Sequence, residues 1–439
     1  MIGIPFARAL AATSLLGALA PPATVHAQAC DFSAPVALAQ GVVDDAIIVT
    51  GASFFFESGE GSIGVTEYLG DHDATTRFSI ASASKLVSAV AILTLVDDGL
   101  LDLDAPVSTY LPQFTGMHGT MTVRQMFSHT SGLPGGSDHA VLSDDTITLA
   151  QAADQIAAMP LDAPPGTQFA YGGLSMHAAG RVAEVVTGQS WTTLFAERVA
   201  IPLGLTQTTY DAFGATPNPR VAGGVRSTLA DYAKILRMIR DRGRVGATQF
   251  LSPTAMQTLT TDQTNGVPIV STPAGDDRRY TFGAWLDLAS PTGETLRTSS
   301  PGAWGFTPWV ELDQHTAGIF MVLYLFGAVQ DDVESMQALC RAQVESCLPH
   351  FRRGDVNGDS AFDLADPIRL LGHLFASDTP LDGCLDRADA NDDGEIDIAD
   401  AIRLLTTLFV APIPIPDPGL DCNVDATPDA IVCPVSSCP

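Results

Sequence analysis

The run Phe78-Ser79-Ile80-Ala81-Ser82-Ala83-Ser84-Lys85 leads directly into the apolar stretch 86–95. On a helix Ser82 and Lys85, three residues apart, share one face. Ser82 then falls in the first turn, where unpaired N–H groups and the helix dipole favour a developing negative charge. A serine hydroxyl is a poor nucleophile until a base takes its proton, and a lysine held beside it can be that base. The alternative is a helix cap followed by a solvated lysine. The motifs downstream separate the two.

The chain has 439 residues, too long for one ordinary domain, and 46% of them are hydrophobic, enough for a large core. Residues 1–29 read as an export signal. Arg8 is the only charge at its front, 9–20 is apolar but too short to span a bilayer, and Ala27-Gln28-Ala29 is a small-x-small cleavage site before Cys30. No later segment has the uninterrupted apolar length of a membrane helix, so a secreted or periplasmic protein without a transmembrane helix is expected. Cys30 at the new N-terminus also permits a lipid anchor, although the preceding residues lack the usual Leu of such a site. The net charge of −28 excludes nucleic acid and anionic membranes as natural partners. In an exported chain most of the seven cysteines should pair. The odd count means that one thiol is free, or that Cys30 is lipidated and the others pair. Composition divides the mature chain into 30–350, an acidic repeated region 351–410, and a Pro- and Cys-rich tail 411–439.

Within 30–350 the signals accumulate. Met121-Thr122-Val123-Arg124-Gln125-Met126-Phe127-Ser128-His129-Thr130-Ser131-Gly132-Leu133-Pro134 is followed by Pro165-Gly166-Thr167-Gln168-Phe169-Ala170-Tyr171 and by Gly223-Gly224-Val225-Arg226-Ser227-Thr228-Leu229-Ala230-Asp231. Strands are expected at 281–288 and 319–326, with Ser300-Pro301-Gly302-Ala303-Trp304 between them.

With these motifs in this order, the chain resembles the serine β-lactamase superfamily, in its class C β-lactamase and family VIII carboxylesterase branch, over roughly residues 35–345. The resemblance implies an α/β (α+β) fold of the β-lactamase/penicillin-binding-protein type. An antiparallel sheet is flanked by helices, with an all-helical subdomain. It implies Ser82 as the acylated nucleophile, Lys85 as its proton partner, and Tyr171 as the group that passes the proton to the leaving group. It implies an oxyanion hole from the N–H groups of Ser82 and Ala303, with Trp304 lining the acyl pocket. Two positions depart from the pattern. Gly173 stands where the family often has Asn, so no side-chain amide meets substrate. Ser300, before Gly302, stands where the family has Lys or His, and a serine cannot offer the positive charge that binds a β-lactam or peptide carboxylate. That favours small ester or amide substrates without a required carboxylate. His129 invites a Ser–His–Asp triad, but the chain has no G-x-S-x-G elbow and His129 lies in the family's structural H-T-S-G-L turn.

The acidic region is a repeat. Residues 353–366 are matched by 387–400, and each copy continues into an apolar helix. The spacing D-x-N-x-D-x-x-x-D-x-x-D supplies oxygen ligands at the positions that a calcium loop uses. The first loop offers Asp355, Asn357, Asp359, the carbonyl of Ala361, Asp363 and Asp366. The second offers Asp389, Asn391, Asp393, the carbonyl of Glu395, Asp397 and Asp400. Two structural Ca²⁺ sites are therefore expected, and no cofactor for catalysis. Ser360 sits where such a loop prefers Gly, which the second copy has at Gly394. One loop and one helix, twice, resembles a dockerin type I module, a small paired calcium-loop–helix unit. That resemblance implies a cohesin-like partner, although Leu364-Ala365 and Ile398-Ala399 replace the Ser/Thr pairs of that contact.

The leading expectation is an exported serine hydrolase acting through an acyl-enzyme on Ser82, on carboxylic esters or amides. A β-lactamase or D-Ala peptidase is the alternative within enzymes. A catalytically inactive binding module anchored by its dockerin-like part is the alternative of another class.

Overall fold

In the computed structural model the described residues are 30–438, apart from 47, 60–62, 275–277, 348–349, 377–379, 382, 412, 417, 423–430, 432 and 434–437. The expected export signal and much of the expected tail lie outside them. Strands β1 (Gly51–Ser58), β2 (Gly64–Gly70), β3 (Trp285–Ala289), β4 (Thr295–Ser299), β5 (Phe306–Glu311) and β6 (Thr316–Val322) form one sheet in the order β2-β1-β6-β5-β4-β3. Every pairing is antiparallel. The expected mixed fold, an antiparallel sheet flanked by helices, is what the chain adopts.

Alternation along β1 separates two cores, because successive side chains point to opposite faces. Phe54 and Phe56 join the cluster beneath helices α1 (Ser33–Asp45) and α5 (Phe326–Cys347). Phe55 joins the larger core that holds α2 (Ser84–Asp97), α3 (Leu174–Thr187) and α4 (Leu229–Arg240). The helix α2 is buried continuously from Ser84 to Leu95. A helix apolar on all sides must be covered on all sides, and this one runs through the middle of the molecule with Lys85 at its start.

Two expected strands shift. The segment 281–288 becomes strand only from Trp285, because Gly283 at φ +96° closes a turn in which Thr281 N–H donates to the Ala284 carbonyl. The segment 319–326 lies inside β6 only as far as Val322. Leu323 and Leu325 leave the sheet exposed, and Phe326 already begins α5. An apolar run does not say where its strand turns away from the core.

Disulfides join Cys30 to Cys347, Cys384 to Cys433 and Cys422 to Cys438, leaving Cys340 free and buried. Of the two ways to place the odd cysteine, the free thiol is therefore the one adopted. The Cys30 sulfur that a lipid anchor needs is engaged with α5. The Cys30–Cys347 bridge closes a loop of 317 residues, and cross-links stabilise chiefly by restricting the unfolded chain. Cys30→Ser should lower the unfolding free energy by about 3–5 kcal/mol in denaturant titration. Burial pushes the Cys340 thiol up, so the native protein should leave a thiol reagent unreacted, and the denatured, non-reduced protein should titrate one thiol per chain.

Candidate active site

The segment carrying Ser82 is tied down on both sides. Strand Arg77–Ser79 pairs with Arg226–Thr228, and Ile80 N–H donates to the Val225 carbonyl at 3.0 Å. Val225 N–H in turn donates to Ser84 Oγ at 3.0 Å, and the Tyr232 hydroxyl on α4 donates to the Ala83 carbonyl at 2.8 Å. Ser82 sits in a 3-10 turn, Ala81–Ala83, that feeds α2. Ala81 just before it holds φ +45°, a left-handed conformation that costs a non-glycine residue roughly 1–3 kcal/mol and persists where its surroundings over-determine it.

Lys85, 1% exposed, reaches back along the helix. Its Nζ donates to Ser82 Oγ at 3.0 Å and to the Ala222 carbonyl at 3.0 Å, and lies 4.6 Å from the centroid of the Tyr171 ring. Among the described residues no carboxylate stands within ion-pair distance of it. The structure therefore brings Ser82, Lys85 and Tyr171 together, as the spacing and the tyrosine motif anticipate. It is the ring face of Tyr171 that meets Lys85; its hydroxyl makes no hydrogen bond to Ser82 or Lys85.

Tyr171 stacks on Trp285 at 5.2 Å, with 19° between the planes, and belongs to a buried aromatic cluster with Phe169 and Tyr280. His129 packs against Tyr171 at 4.5 Å and Tyr280 at 4.8 Å. Burial first, and the Lys85 charge second, push His129 well below its ordinary value, so its ring is neutral. Its Nδ1 accepts from Gly172 N–H at 3.4 Å, and among the described residues no carboxylate orients it. A His-based triad is absent from this site; His129 holds the tyrosine in place.

Ala303 follows β4 on the loop Ser300–Gly305. Neither its N–H nor that of Ser82 donates to a described group of the protein, so both are available to a ligand oxygen. Gly302 is dictated by a close approach, since a Cβ there would lie 2.1 Å from the Ile80 carbonyl oxygen. Ser300 donates from Oγ to the Ser82 carbonyl at 3.4 Å. Two cavities of about 330 Å³ each meet at Ser82 and Ala303. One is lined by Lys85, Leu142, Gly173, Arg220 and the exposed Trp304; the other by Tyr171, Thr272, Arg278, Trp285 and Phe326. Ala222 and Arg220 carry no signal in the sequence by themselves, because a backbone acceptor and a cavity-wall arginine are revealed only by what folds against them.

The acidic repeats form two similar loops, each leading into a helix: α6 (Ala365–Phe375) and α7 (Ile398–Phe409). Asp355, Asp366, Asp389 and Asp400 are buried. Asp355 Oδ2 accepts from Ser360 N–H at 3.0 Å and Asp389 Oδ2 from Gly394 N–H at 2.9 Å, the same bond in both copies. Asp366 and Asp400 likewise accept from Asp363 and Asp397 N–H, each at 2.9 Å. Ser360 and Gly394 hold φ +69° and +82°, which is why glycine suits that position. Among the described residues no group of three or more His, Cys, Asp or Glu gathers as a ready metal cage, the carboxylates being turned onto N–H groups of their own loops. Yet Asp355 Oδ1 is buried without a partner, and the donors on offer are hard oxygens, the chemistry that suits Ca²⁺.

With this geometry in view, the comparisons are direct. The β-lactamase family matches residues 45–333, more than half of the sequence, and the chain belongs to that family, whose members are serine hydrolases. Penicillin-binding protein 4 of Amycolatopsis lactamdurans is 36% identical over 134 residues, 30% of this chain and 35% of that protein. The chain spans about a third of the length of the curated relatives it matches. A protein of Bacteroides dorei DSM 17855, whose crystal structure is titled that of a "putative beta-lactamase", is 30% identical with a TM-score of 0.63, over 70% of this chain and 98% of that one. A family VIII carboxylesterase shares the fold at a TM-score of 0.54 and 20% identity, over 68% of this chain and 93% of that one. No described helix is long and apolar enough to cross a membrane.

His177, on α3 beside the first cavity, supplies a test of this packing. Burial pushes it down to about 4, against the hydrogen bond it shares with Asn218. Between pH about 6.5 and about 4 the unfolded chain binds a proton that the native one refuses, so stability should fall as pH falls through that window. His177 alone accounts for about 3 kcal/mol of that loss, with His129 and His315, both also pushed down, adding in the same direction. Urea titrations at pH 7 and pH 4.5 should show the decline, and His177→Gln should make it shallower.

Proposed function

We propose that the chain is an exported serine hydrolase that forms an acyl-enzyme on Ser82 and acts on carboxylic esters or amides. The observation that carries this is the 3.0 Å hydrogen bond between Lys85 Nζ and Ser82 Oγ at the junction of two cavities that Ser82 and Ala303 both line. Lys85 takes the Ser82 proton as Oγ adds to the substrate carbonyl. The Ser82 and Ala303 N–H groups hold the oxyanion, each such donor contributing roughly 3 kcal/mol to the transition state. Tyr171 relays the proton to the departing alcohol or amine, which requires its hydroxyl to turn toward the leaving atom. Water then adds to the acyl group and Ser82 departs with its proton restored. The 1–29 leader and the three disulfides support an oxidising, exported setting.

A β-lactamase or D-Ala peptidase is the second reading, favoured by the identity to penicillin-binding protein 4. The serine at 300 weighs against it. Hydrolysis of p-nitrophenyl acetate and butyrate, with a chromogenic cephalosporin beside them, distinguishes the two. Ser82→Ala should abolish ester turnover, and Tyr171→Phe should lower kcat about 10²-fold or more with little change in KM. Cephalosporin turnover as fast as that of the esters would give the second reading the site. No Ser82-dependent turnover of any substrate would leave the inactive binding module.

For the acidic repeats the reading is a calcium-stabilised module of dockerin type. Asp355, Asn357, Asp359, Asp363, Asp366 and the Ala361 carbonyl would hold one ion, and Asp389, Asn391, Asp393, Asp397, Asp400 and the Glu395 carbonyl the other. The support is the duplicated loop and the unpartnered Asp355 Oδ1. Bound Ca²⁺ would neutralise the buried carboxylates and so couple folding to the metal. Leu364, Ile368, Ile398 and Ile402 stay exposed in matched pairs, which supports a protein contact on that face of cohesin-like kind, and calorimetric titration of a cohesin with and without Ca²⁺ checks it. Removing calcium with a chelator should lower the melting temperature of the module, and Ser360→Gly should raise it by relieving about 0.5–1 kcal/mol of backbone strain.

A further inference from the structure

The two cavities at Ser82 differ in charge. In the one that holds Tyr171, the cation is Arg278, and it is already paired with Asp287 at 3.2 Å and Glu334 at 3.7 Å. In the one that holds Lys85 and Gly173, the basic group besides Lys85 is Arg220. Its guanidinium lies 3.8 Å from the Phe213 ring centroid and, among the described residues, has no carboxylate within ion-pair distance. Stacking occupies the faces of a guanidinium and leaves the donors in its plane free for a bidentate acceptor. Asp138 lines the same cavity but is exposed at the rim, where water screens it.

Arg220 is also held in place before any ligand arrives. It follows Pro217-Asn218-Pro219, whose prolines restrict the backbone. Asn218, 1% exposed, donates to the Val141 carbonyl at 2.9 Å and the Asp144 carbonyl at 3.1 Å, and bonds His177 at 2.7 Å. Two residues on, the Ala222 carbonyl is the acceptor for Lys85. The anion-binding group and the carbonyl that fixes the Lys85 nitrogen therefore stand on one braced loop.

We propose that Arg220 recognises a carboxylate at the far end of the acyl group, so that the substrate class is esters or amides of an acyl chain with a terminal carboxylate. This rests on the serine-hydrolase reading. If Tyr171 serves the leaving group, the leaving group occupies the cavity that Tyr171 lines, and the acyl chain occupies the one that Arg220 lines. The charge absent at Ser300 is thus supplied by Arg220, and toward the other half of the substrate.

The test compares p-nitrophenyl hydrogen adipate and pimelate with their neutral methyl esters. The wild type should prefer an acid over its methyl ester in kcat/KM. Arg220→Gln should reduce that ratio roughly ten- to hundredfold, and Arg220→Lys should retain part of it. A ratio unchanged in Arg220→Gln overturns the proposal; partial misfolding lowers both rates by the same factor and leaves the ratio of the folded fraction readable. Calorimetric binding of monomethyl adipate against the neutral dimethyl adipate to Ser82→Ala, with and without Arg220→Gln, decides independently of turnover. Binding of the monoester that needs Arg220 supports the inference even if no ester is hydrolysed and the hydrolase reading falls. Equal binding of the two esters overturns it.

Discussion

A buried lysine nitrogen is the constraint around which this domain is arranged. Burying a polar nitrogen is costly unless its donors find acceptors. Lys85 finds Ser82 Oγ, the Ala222 carbonyl and the face of Tyr171, and these come from three distant parts of the chain. The start of α2, the loop 220–224 and the segment 169–173 must all converge on one point. The pairing of Arg77–Ser79 with Arg226–Thr228 and the bond from Tyr232 to the Ala83 carbonyl are what make them converge.

The aromatic cluster answers a second requirement. Tyr171 can face Lys85 only if its ring is held, and Trp285, stacked on it, and His129, tilted against it, hold it. Trp285 opens β3, so the late strand displacement caused by Gly283 has a consequence: it places an indole against the tyrosine. A histidine next to a serine and lysine suggests acid–base chemistry when read by residue type. Its surroundings here are aromatic and dry, which keeps it neutral and makes it a wedge.

The C-terminal repeat shows the same economy on a smaller scale. Its core is made of equivalent positions, Val356 with Ala390 and Leu370 with Leu404. Arg369 and Arg403 each reach the carbonyl of a proline eleven residues further on, Pro380 and Pro414. Two copies of one loop–helix unit bury together what neither could bury alone.

Much of this was legible in the residues. The Ser82–Lys85 spacing, the tyrosine motif and the duplicated acidic loops are local patterns, and local patterns survive folding because helix and turn geometry are set by near neighbours. The antiparallel sheet with its flanking helices likewise followed from recognisable motifs in order. Where strands end was not legible, as Leu323–Leu325 shows, since an apolar run is silent about its exit from the core. Nor was the pairing of Cys30 with Cys347, the role of the Ala222 carbonyl, or the place of Arg220 in the wall of the cavity that Lys85 lines. Each depends on contacts between segments 130 or more residues apart, and only tertiary packing chooses among such partners. The sequence by itself determined which groups could do chemistry; the folded chain decided which are neutral, which are paired, and which single arginine in the cavity walls is left for a ligand.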